Sequence, residues 1–328
     1  MIHFRIMRMF ASVLVLAFLA VFSRTAIAEY PEKTIRIIAP APPGGGTDFL
    51  SRLIGKNLAE RWGQTVVVDN VPGASGTIGS RQAQNARADG YTLLMSYQGT
   101  HAIAPALLKD FPFDPVNDFR PITQVVSQPF VLVVHPSIPA RTMQEFVEYV
   151  HKNPGKLNFG SAGAGSGGHL VGELFNLVTN SNAVHVPYQG SAPMTTDLLA
   201  GHVQFAFDTV GTTGPHIRSG ALRALAVTND KRLTTLPDIP TVVEEGYPKL
   251  VRTGWYGLFA PKDTSPDIVI KIQKEVARIL QKPDVEQALI TGGYTPKASA
   301  SPEEFRNFVR LENKDWGELV KSSGAQVK

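Results

Sequence analysis

The sequence predicts an α/β protein built as two lobes, each a largely parallel sheet covered by helices. Three observations carry this expectation. Between residues 35 and 95, short apolar runs alternate with stretches of helical period, the pattern of parallel strands and covering helices. The succession of strand, glycine loop and helix then recurs over residues 156–178. Between the two copies lies Ile122 to His135, apolar on both flanks of Ser127-Gln-Pro129. A strand of that length, interrupted by a proline, suits a crossover from one lobe to the other.

The first 28 residues stand apart from this pattern. Arg5 and Arg8 make a basic start, Met9 to Ser23 is almost wholly apolar, and Ala26-Ile-Ala28 is a small-residue cleavage site. This is the three-part pattern of a secretory signal peptide, with cleavage expected after Ala28. The rival reading is a retained membrane anchor, for which Arg24 directly after the apolar run speaks. Against it, that run falls short of the roughly 20 residues that span a bilayer. Removing residues 1–28 takes three of the 32 basic residues (Arg5, Arg8 and Arg24) and none of the 28 acids. The mature chain is then nearly neutral, which leaves no electrostatic footprint for nucleic acid. The chain has no cysteine, so it has no disulfide, no thiolate metal site and no lipoprotein anchor. A soluble exported protein held by its hydrophobic core is expected.

In order, Ile35 to Ala39 reads as a buried strand that ends in Pro40-Ala-Pro-Pro-Gly-Gly-Gly46. The helix after this loop is expected to place Phe49, Leu50, Leu53, Ile54, Leu58 and Trp62 on one stripe, with Gly63 stopping it. Val66 to Asp69 and Tyr91 to Met95 are the next strands, separated by Pro72-Gly-Ala-Ser-Gly-Thr77 and a helix. Past a proline-broken region and the crossover, Met143 to His151 is a helix and Lys156 to Phe159 a strand. The loop Gly160-Ser-Ala-Gly-Ala-Gly-Ser-Gly-Gly168 leads into a helix over His169 to Val178. Strands are expected at Val184 to Tyr188, Val203 to Val210 and Leu222 to Val227, with a helix at Met194 to Ala200. Trp255 to Ala260 returns to the first lobe, and Ile268 to Leu280 and Pro302 to Val320 close the chain as amphipathic helices.

The second glycine loop touches two enzyme patterns. Gly163-Ala-Gly-Ser-Gly-Gly168 satisfies the dinucleotide fingerprint between a strand and a helix. That site also requires an acid at the end of the following strand, and Val186-Pro-Tyr-Gln189 has none. Ala164-Gly-Ser-Gly-Gly168 approaches the nucleophile elbow, but only His216 follows an acid at a strand end, Asp208, as the triad order requires. The eight histidines are scattered, and His101, His169 and His185 read as hydrogen-bonded loop or helix-start residues. No metal site is expected.

A different chemistry remains. Gly44, Gly45, Gly46 and Thr47 leave main-chain N–H groups at a helix start, and the 160–168 loop does the same. Each helix N-terminus offers about +0.5 charge and several unpaired donors, which suits an anion. Two such loops facing across a cleft would hold a carboxylate, with the hydroxyls of Thr47, Ser161 and Ser166 as further donors. Loops at the carboxyl ends of parallel strands are where α/β proteins bind ligands. The plainer alternative is turn chemistry alone, with Thr47 or Asp48 capping the helix; for Asp48 the cap is favoured. Asp208 ends the alternation Val203, Phe205, Phe207, where it either fixes a ligand amino or hydroxyl group or caps the next turn.

Several segments resemble one family closely. Pro42-Pro-Gly-Gly-Gly-Thr-Asp48, Gly63-Gln-Thr-Val-Val-Val-Asp-Asn-Val-Pro-Gly73 and Asp89-Gly-Tyr-Thr-Leu-Leu94 resemble Bug-type solute receptors, the extracytoplasmic binding proteins of tripartite tricarboxylate transporters. The resemblance runs on through Pro154 to Ser161, His169 to Phe175, His185 to Tyr188, Leu222 to Thr228 and Leu236 to Thr241. It implies a periplasmic-binding-protein fold of type II-like form, with residues 29–124 plus 253–328 as one lobe and 125–252 as the other. It also implies a monomer that closes on a di- or tricarboxylate, an acidic amino acid or an aromatic acid, and delivers it to membrane permease subunits. Carried over, Pro43 to Thr47 and Ser161 to Ser166 grip one carboxylate, partly through ordered water, and Asp208 contacts ligand in members that bind amino acids. Ala41 stands where relatives often have a bulky aromatic, which implies a larger pocket or altered access.

The expected binding set is Pro43, Gly44, Gly45, Gly46, Thr47 and Asp48; Ser161, Ala164, Gly165 and Ser166; and Asp208. No cofactor, catalytic residue or nucleic-acid partner is expected, and the location is the periplasm. A sensory receptor for a membrane signalling partner and an α/β enzyme are the alternative readings.

Overall fold

The computed structural model describes residues 30–323, so the expected signal peptide and its cleavage point after Ala28 lie outside the described residues. Three parallel strands open the fold: β1 (Ile35–Ala39), β2 (Val66–Asn70) and β3 (Thr92–Tyr97). β1 lies between the other two, pairing Ile35 with Val66 and Arg36 with Thr92. Ile35, Ile37, Ile38 and Ala39 are all fully buried, as a parallel strand covered on both faces requires.

The crossover helices are α1 (Gly46–Trp62) and α2 (Thr77–Gln84). The buried face of α1 differs from the expected stripe. It runs through Thr47, Leu50, Ser51, Ile54, Gly55 and Leu58, whereas Phe49 is exposed and Leu53 and Trp62 are half-buried. Small residues set this rotation. A side-chain carbon at Gly55 would stand 3.1 Å from Val66 Cγ1, so the helix seats on β2 along its small face. Phe49 turns outward and stacks on Tyr294, with ring centroids 5.9 Å apart.

One strand belongs to both lobes. β4 (Phe119–Val134) pairs antiparallel with β9 (Thr253–Pro261) from Phe119 to Pro129. From Phe130 to Val134 it pairs instead with β7 (Phe205–Thr209) and, over Val131 to Val134, with β8 (Arg223–Val227). The expected crossover over Ile122 to His135 thus starts earlier, at Phe119, and is unbroken by its prolines. Pro121 falls at a register shift, and Pro129 at the junction where β4 leaves β9; at such places a missing N–H is tolerated. Lys33 onward is one compact unit, with β4 as the shared seam.

The second lobe repeats the parallel theme. β5 (Asn158–Ser161) pairs parallel with β6 (Val184–Pro187) and with β7. Its helices are α4 (Met143–Lys152), α5 (Gly167–Thr179), α6 (Ser191–Leu199) and α7 (Val210–Arg218). The last had no sequence expectation. Between β3 and β4, a helical turn over Gly99–Ile103 runs into the short α3 (Ala104–Leu107). Across both lobes the strand order is β2-β1-β3-β9-β4-β7-β5-β6, with β8 and the short β10 (Thr295–Pro296) also beside β4. β5 starts two residues later than the expected Lys156, and α6 starts three residues before Met194.

The C-terminal part returns to the first lobe as α8 (Pro266–Ile279), α9 (Pro283–Thr291) and α10 (Pro302–Ser323). Pro283 opens α9, which had no sequence expectation, because a proline at the first helical position loses no intrahelical bond. α10 is fixed by an aromatic cluster. Phe305 meets Trp255 edge-on at 5.8 Å and Phe259 at 5.1 Å, and Gly257 leaves room for its ring. Among the described residues, no helix is long and apolar enough to cross a membrane.

Phe305 is fully buried, so Phe305→Ala should lower the urea-measured unfolding free energy by about 3–5 kcal/mol. A loss under about 1 kcal/mol would mean that α10 does not depend on this cluster.

Candidate functional site

A cleft of about 300 Å³ opens between the lobes, at the small end of the range for ligand pockets. On one side stand Tyr97, Gln98 and Gly99 at the end of β3, followed by Ile103, Ala104, Leu107 and Leu108. On the other stand residues 162–168, Ser191, Asp208 and Thr209. Gln128, Phe130 and Tyr256, from the strands that join the lobes, and Ser75, from the turn before α2, complete the lining.

The 162–168 loop is shaped by its glycines and by two histidines. Gly163 (φ 134°) and Gly165 (φ 77°) take left-handed conformations that disfavour a side chain. Ser166 is the N-cap of α5, its Oγ accepting from His169 N at 3.3 Å. Gly165 N donates to His169 Nδ1 at 3.0 Å, and Ser166 N to Gly163 O at 3.0 Å. The N–H groups of Ala164, Gly167 and Gly168 then have no acceptor within the protein among the described residues. They sit at the positive end of α5, which suits an anion. Gly167 and Gly168 have a second task, close packing: side-chain carbons there would overlap the Phe130 ring and Phe207 O.

Beneath the loop, His169 stacks on His185 with centroids 3.8 Å apart and an interplanar angle of 16°. His185 Nε2 lies 2.7 Å from Ser161 Oγ, and Gly163 N donates back to that Oγ at 3.2 Å. Ser161 is buried, so the structure places it under the loop, outside the lining. Burial pushes both imidazoles down to about 4, and for His185 the neighbouring His169 adds to this. Both rings are therefore neutral near pH 7. With Nδ1 accepting from Gly165, His169 carries its proton on Nε2, 3.7 Å from Glu173 Oε1.

Asp208 is buried yet lines the cleft. Its Oδ1 accepts from Ser191 Oγ at 3.1 Å, and its Oδ2 has no partner. Burial raises its carboxyl to about 6, against the opposing hydrogen bonds from Thr209 and Ser191. It is the one Asp or Glu of the lining, which includes no Lys, Arg or His.

The first glycine loop lies elsewhere. Pro43, Gly44 and Gly45 are exposed, Thr47 and Asp48 are buried, and none of Pro43 to Asp48 lines this cleft. Gly44 N donates to Asp48 Oδ2 at 2.9 Å, while Asp48 Oδ1 pairs with Arg52 at 2.9 Å. Hydrogen bonding from Arg52 holds the Asp48 carboxyl below its usual range, with burial opposing it. The N–H groups of Gly45, Gly46 and Thr47 have no acceptor within the protein among the described residues. A side-chain carbon at Gly46 would overlap the Tyr256 hydroxyl and stand 2.7 Å from Tyr294 Oη. The loop therefore rests on Tyr256, which does line the cleft.

Of the expected set, the structure brings Ala164, Gly165, Ser166 and Asp208 together in the cleft. Sequence reasoning missed Ser75, Tyr97, Gln98, Ser191 and Thr209. The ends of β2, β3, β6 and β7 were the available signal, since ligands gather at the carboxyl ends of parallel strands. Gln128, Phe130 and Tyr256 lie on antiparallel strands and carried no such signal. Among the described residues, no group of three His, Cys, Asp or Glu is placed to hold a metal ion.

Comparison with known proteins agrees with this architecture. Residues 50–325 match the family model described as tripartite tricarboxylate transporter family receptor. Protein BugT of Bordetella pertussis is 36% identical, over 91% of this chain and 92% of its own. Among solved structures, R. palustris Rpa4515 with adipate superposes with a TM-score of 0.81 at 33% identity, covering 91% of this chain and 100% of that one. MatC from Rhodopseudomonas palustris with bound malate gives 0.76 at 31% identity, covering 89% and 100%.

The buried histidines set an acid limit on stability. In the unfolded chain they take a proton near 6.5, but in the folded chain His169 and His185 do so only at about 4 and His101 at about 3. The stability they permit is thus present above pH 6.5 and is lost as pH falls through this window. Asp208 has the opposite sign, favouring the folded state below its unfolded value of 3.8 and losing that contribution as pH rises through about 6. His169→Asn keeps an acceptor for Gly165 N–H but cannot titrate. Its melting temperature should fall less steeply between pH 6.5 and 4 than the parent's, and equal slopes would contradict the assignment.

Proposed function

The chain belongs to the tripartite tricarboxylate transporter family of receptors, and from that premise we propose that it captures a small organic carboxylate between its lobes and delivers it to the membrane permease subunits of such a transporter. One observation carries this reading: the unpaired N–H groups of Ala164, Gly167 and Gly168 open at the start of α5, on a cleft whose lining has no cationic side chain. A carboxylate bound there is neutralised by backbone dipoles and hydrogen bonds rather than by an ion pair. Adipate and malate in the similar structures support an acid of this size.

In this reading Ala164, Gly165 and Ser166 form one jaw, with Ser161 bracing it from below through His185. Pro43, Gly44, Gly45, Gly46 and Thr47 form the other, with Asp48 as its cap. The unpaired N–H groups of Gly45, Gly46 and Thr47, and the seat of Gly46 on Tyr256, support that second role. The jaws meet on the ligand as residues 29–124 with 253–328 close against 125–252 about β4, a hinge movement that completes the site. Asp208 accepts a hydrogen bond from a ligand amino or hydroxyl group through its unpartnered Oδ2. The protein acts in the periplasm as a monomer after removal of residues 1–28, without cofactor and without turnover. The receptor family and the basic, apolar, small-residue order of the N-terminal segment support this.

Ser166→Asp tests the inner jaw. Aspartate caps a helix about as well as serine, so the fold is retained, but its charge occupies the carboxylate site. Calorimetry over a panel of mono-, di- and tricarboxylates should show at least a hundredfold loss for every acid that binds the parent. Parent-like affinity would overturn the site.

A further inference from the structure

The two walls of the cleft differ in chemistry, and this narrows the ligand. On the second-lobe wall the groups are polar: loop N–H groups, Ser166, Ser191, Thr209 and Asp208. The first-lobe wall beyond Gly99 is formed by Ile103, Ala104, Leu107 and Leu108, with Phe130 from β4 joining them. Leu107 and Leu108 are only half-buried and present apolar surface to the cleft, whose cover by ligand would be favourable.

A second carboxylate finds little on this side. With no Lys, Arg or His in the lining, its charge would lie against hydrocarbon or near Asp208, a like charge whenever that group is ionised. The neutral polar groups nearby are partly engaged. Gln98 Oε1 accepts from Trp255 N at 3.1 Å. The carbonyl of Ser75, the remaining polar residue of this side, accepts from Thr100 Oγ1 at 2.8 Å, and the Tyr256 ring stacks on Tyr97 at 5.8 Å and meets Tyr294 edge-on at 5.7 Å. We propose that the ligand is a monocarboxylic acid with an apolar body, its carboxylate on the 162–168 loop and its hydrocarbon or aromatic part against Ile103, Leu107, Leu108 and Phe130. This rests on the reading that the cleft takes a carboxylate, and it selects among the acids that reading admits.

Hexanoate and adipate share one six-carbon chain and differ in the second carboxylate, so calorimetry with this pair separates the possibilities. The mature chain should bind hexanoate at least tenfold more tightly than adipate. In the series butyrate, pentanoate, hexanoate, each methylene should improve affinity about threefold to fourfold while the wall is being covered. Leu107→Asn, at a half-buried position that packs partly on the core, should lower the melting temperature of the free protein while leaving it folded, and weaken hexanoate at least tenfold; Leu108→Asn serves the same purpose should the first variant not fold. Adipate binding as tightly as hexanoate or tighter would overturn the proposal while leaving the carboxylate receptor intact. Unchanged hexanoate affinity in the folded variant would overturn the placement of the apolar body, and with it the proposal. Binding of no acid at all, mono-, di- or tricarboxylic, would overturn both this proposal and the functional reading beneath it.

Discussion

The first turn of α5 lies against β4 and β7 because positions 167 and 168 have no side chains. A side-chain carbon at Gly167 would overlap the Phe130 ring, and one at Gly168 would overlap the Phe207 carbonyl. That approach brings the positive end of a 13-residue helix into a cleft whose other lining groups are neutral or acidic. It also leaves the Gly167 and Gly168 N–H groups facing that space, since the first N–H groups of any helix lack an intrahelical partner. Packing and the proposed binding thus depend on the same two glycines. Phe130 serves both, as the ring that Gly167 rests on and as part of the cleft lining.

The electrostatics follow from that geometry. Two stacked, neutral histidines under the loop fix Gly165 and Ser161 without adding a positive charge. Asp208 meets the cleft with one oxygen bonded and one open. A site of this kind attracts an anion weakly at long range and binds it well only where several oriented donors act together. The proposed closure of the two lobes answers that constraint: a single loop is open to water, and closure excludes it and strengthens each hydrogen bond.

Much of the first lobe was legible in the sequence, because β1 is a short aliphatic run ending at Pro40 and its burial on both faces follows from being central and parallel. The face of α1 was misread for an equally local reason: Ser51 and Gly55 pack against the sheet, while Phe49, which a hydrophobic count favours, stacks outward on Tyr294. β4 looked broken because its prolines read as interruptions, and only the pairing shows that they fall at a register shift and at a change of partner. In the candidate site, the glycine and serine content of 160–168 and the strand-end place of Asp208 pointed to residues that line one wall of the cleft. The lining between the walls depends on which antiparallel strands lie side by side, and so Gln128, Phe130 and Tyr256 gave no local sign. Nor did the order of residues show that Ser161 turns down to His185 rather than out to a ligand.

In the proposed site a carboxylate is held by main-chain N–H groups at the start of α5. A crystal structure of the mature chain with a bound acid tests it directly. The carboxylate oxygens should lie about 3 Å from N–H groups within residues 162–168, with no Lys or Arg side chain in contact. A carboxylate paired with a cationic side chain, or seated away from that loop, would contradict the account.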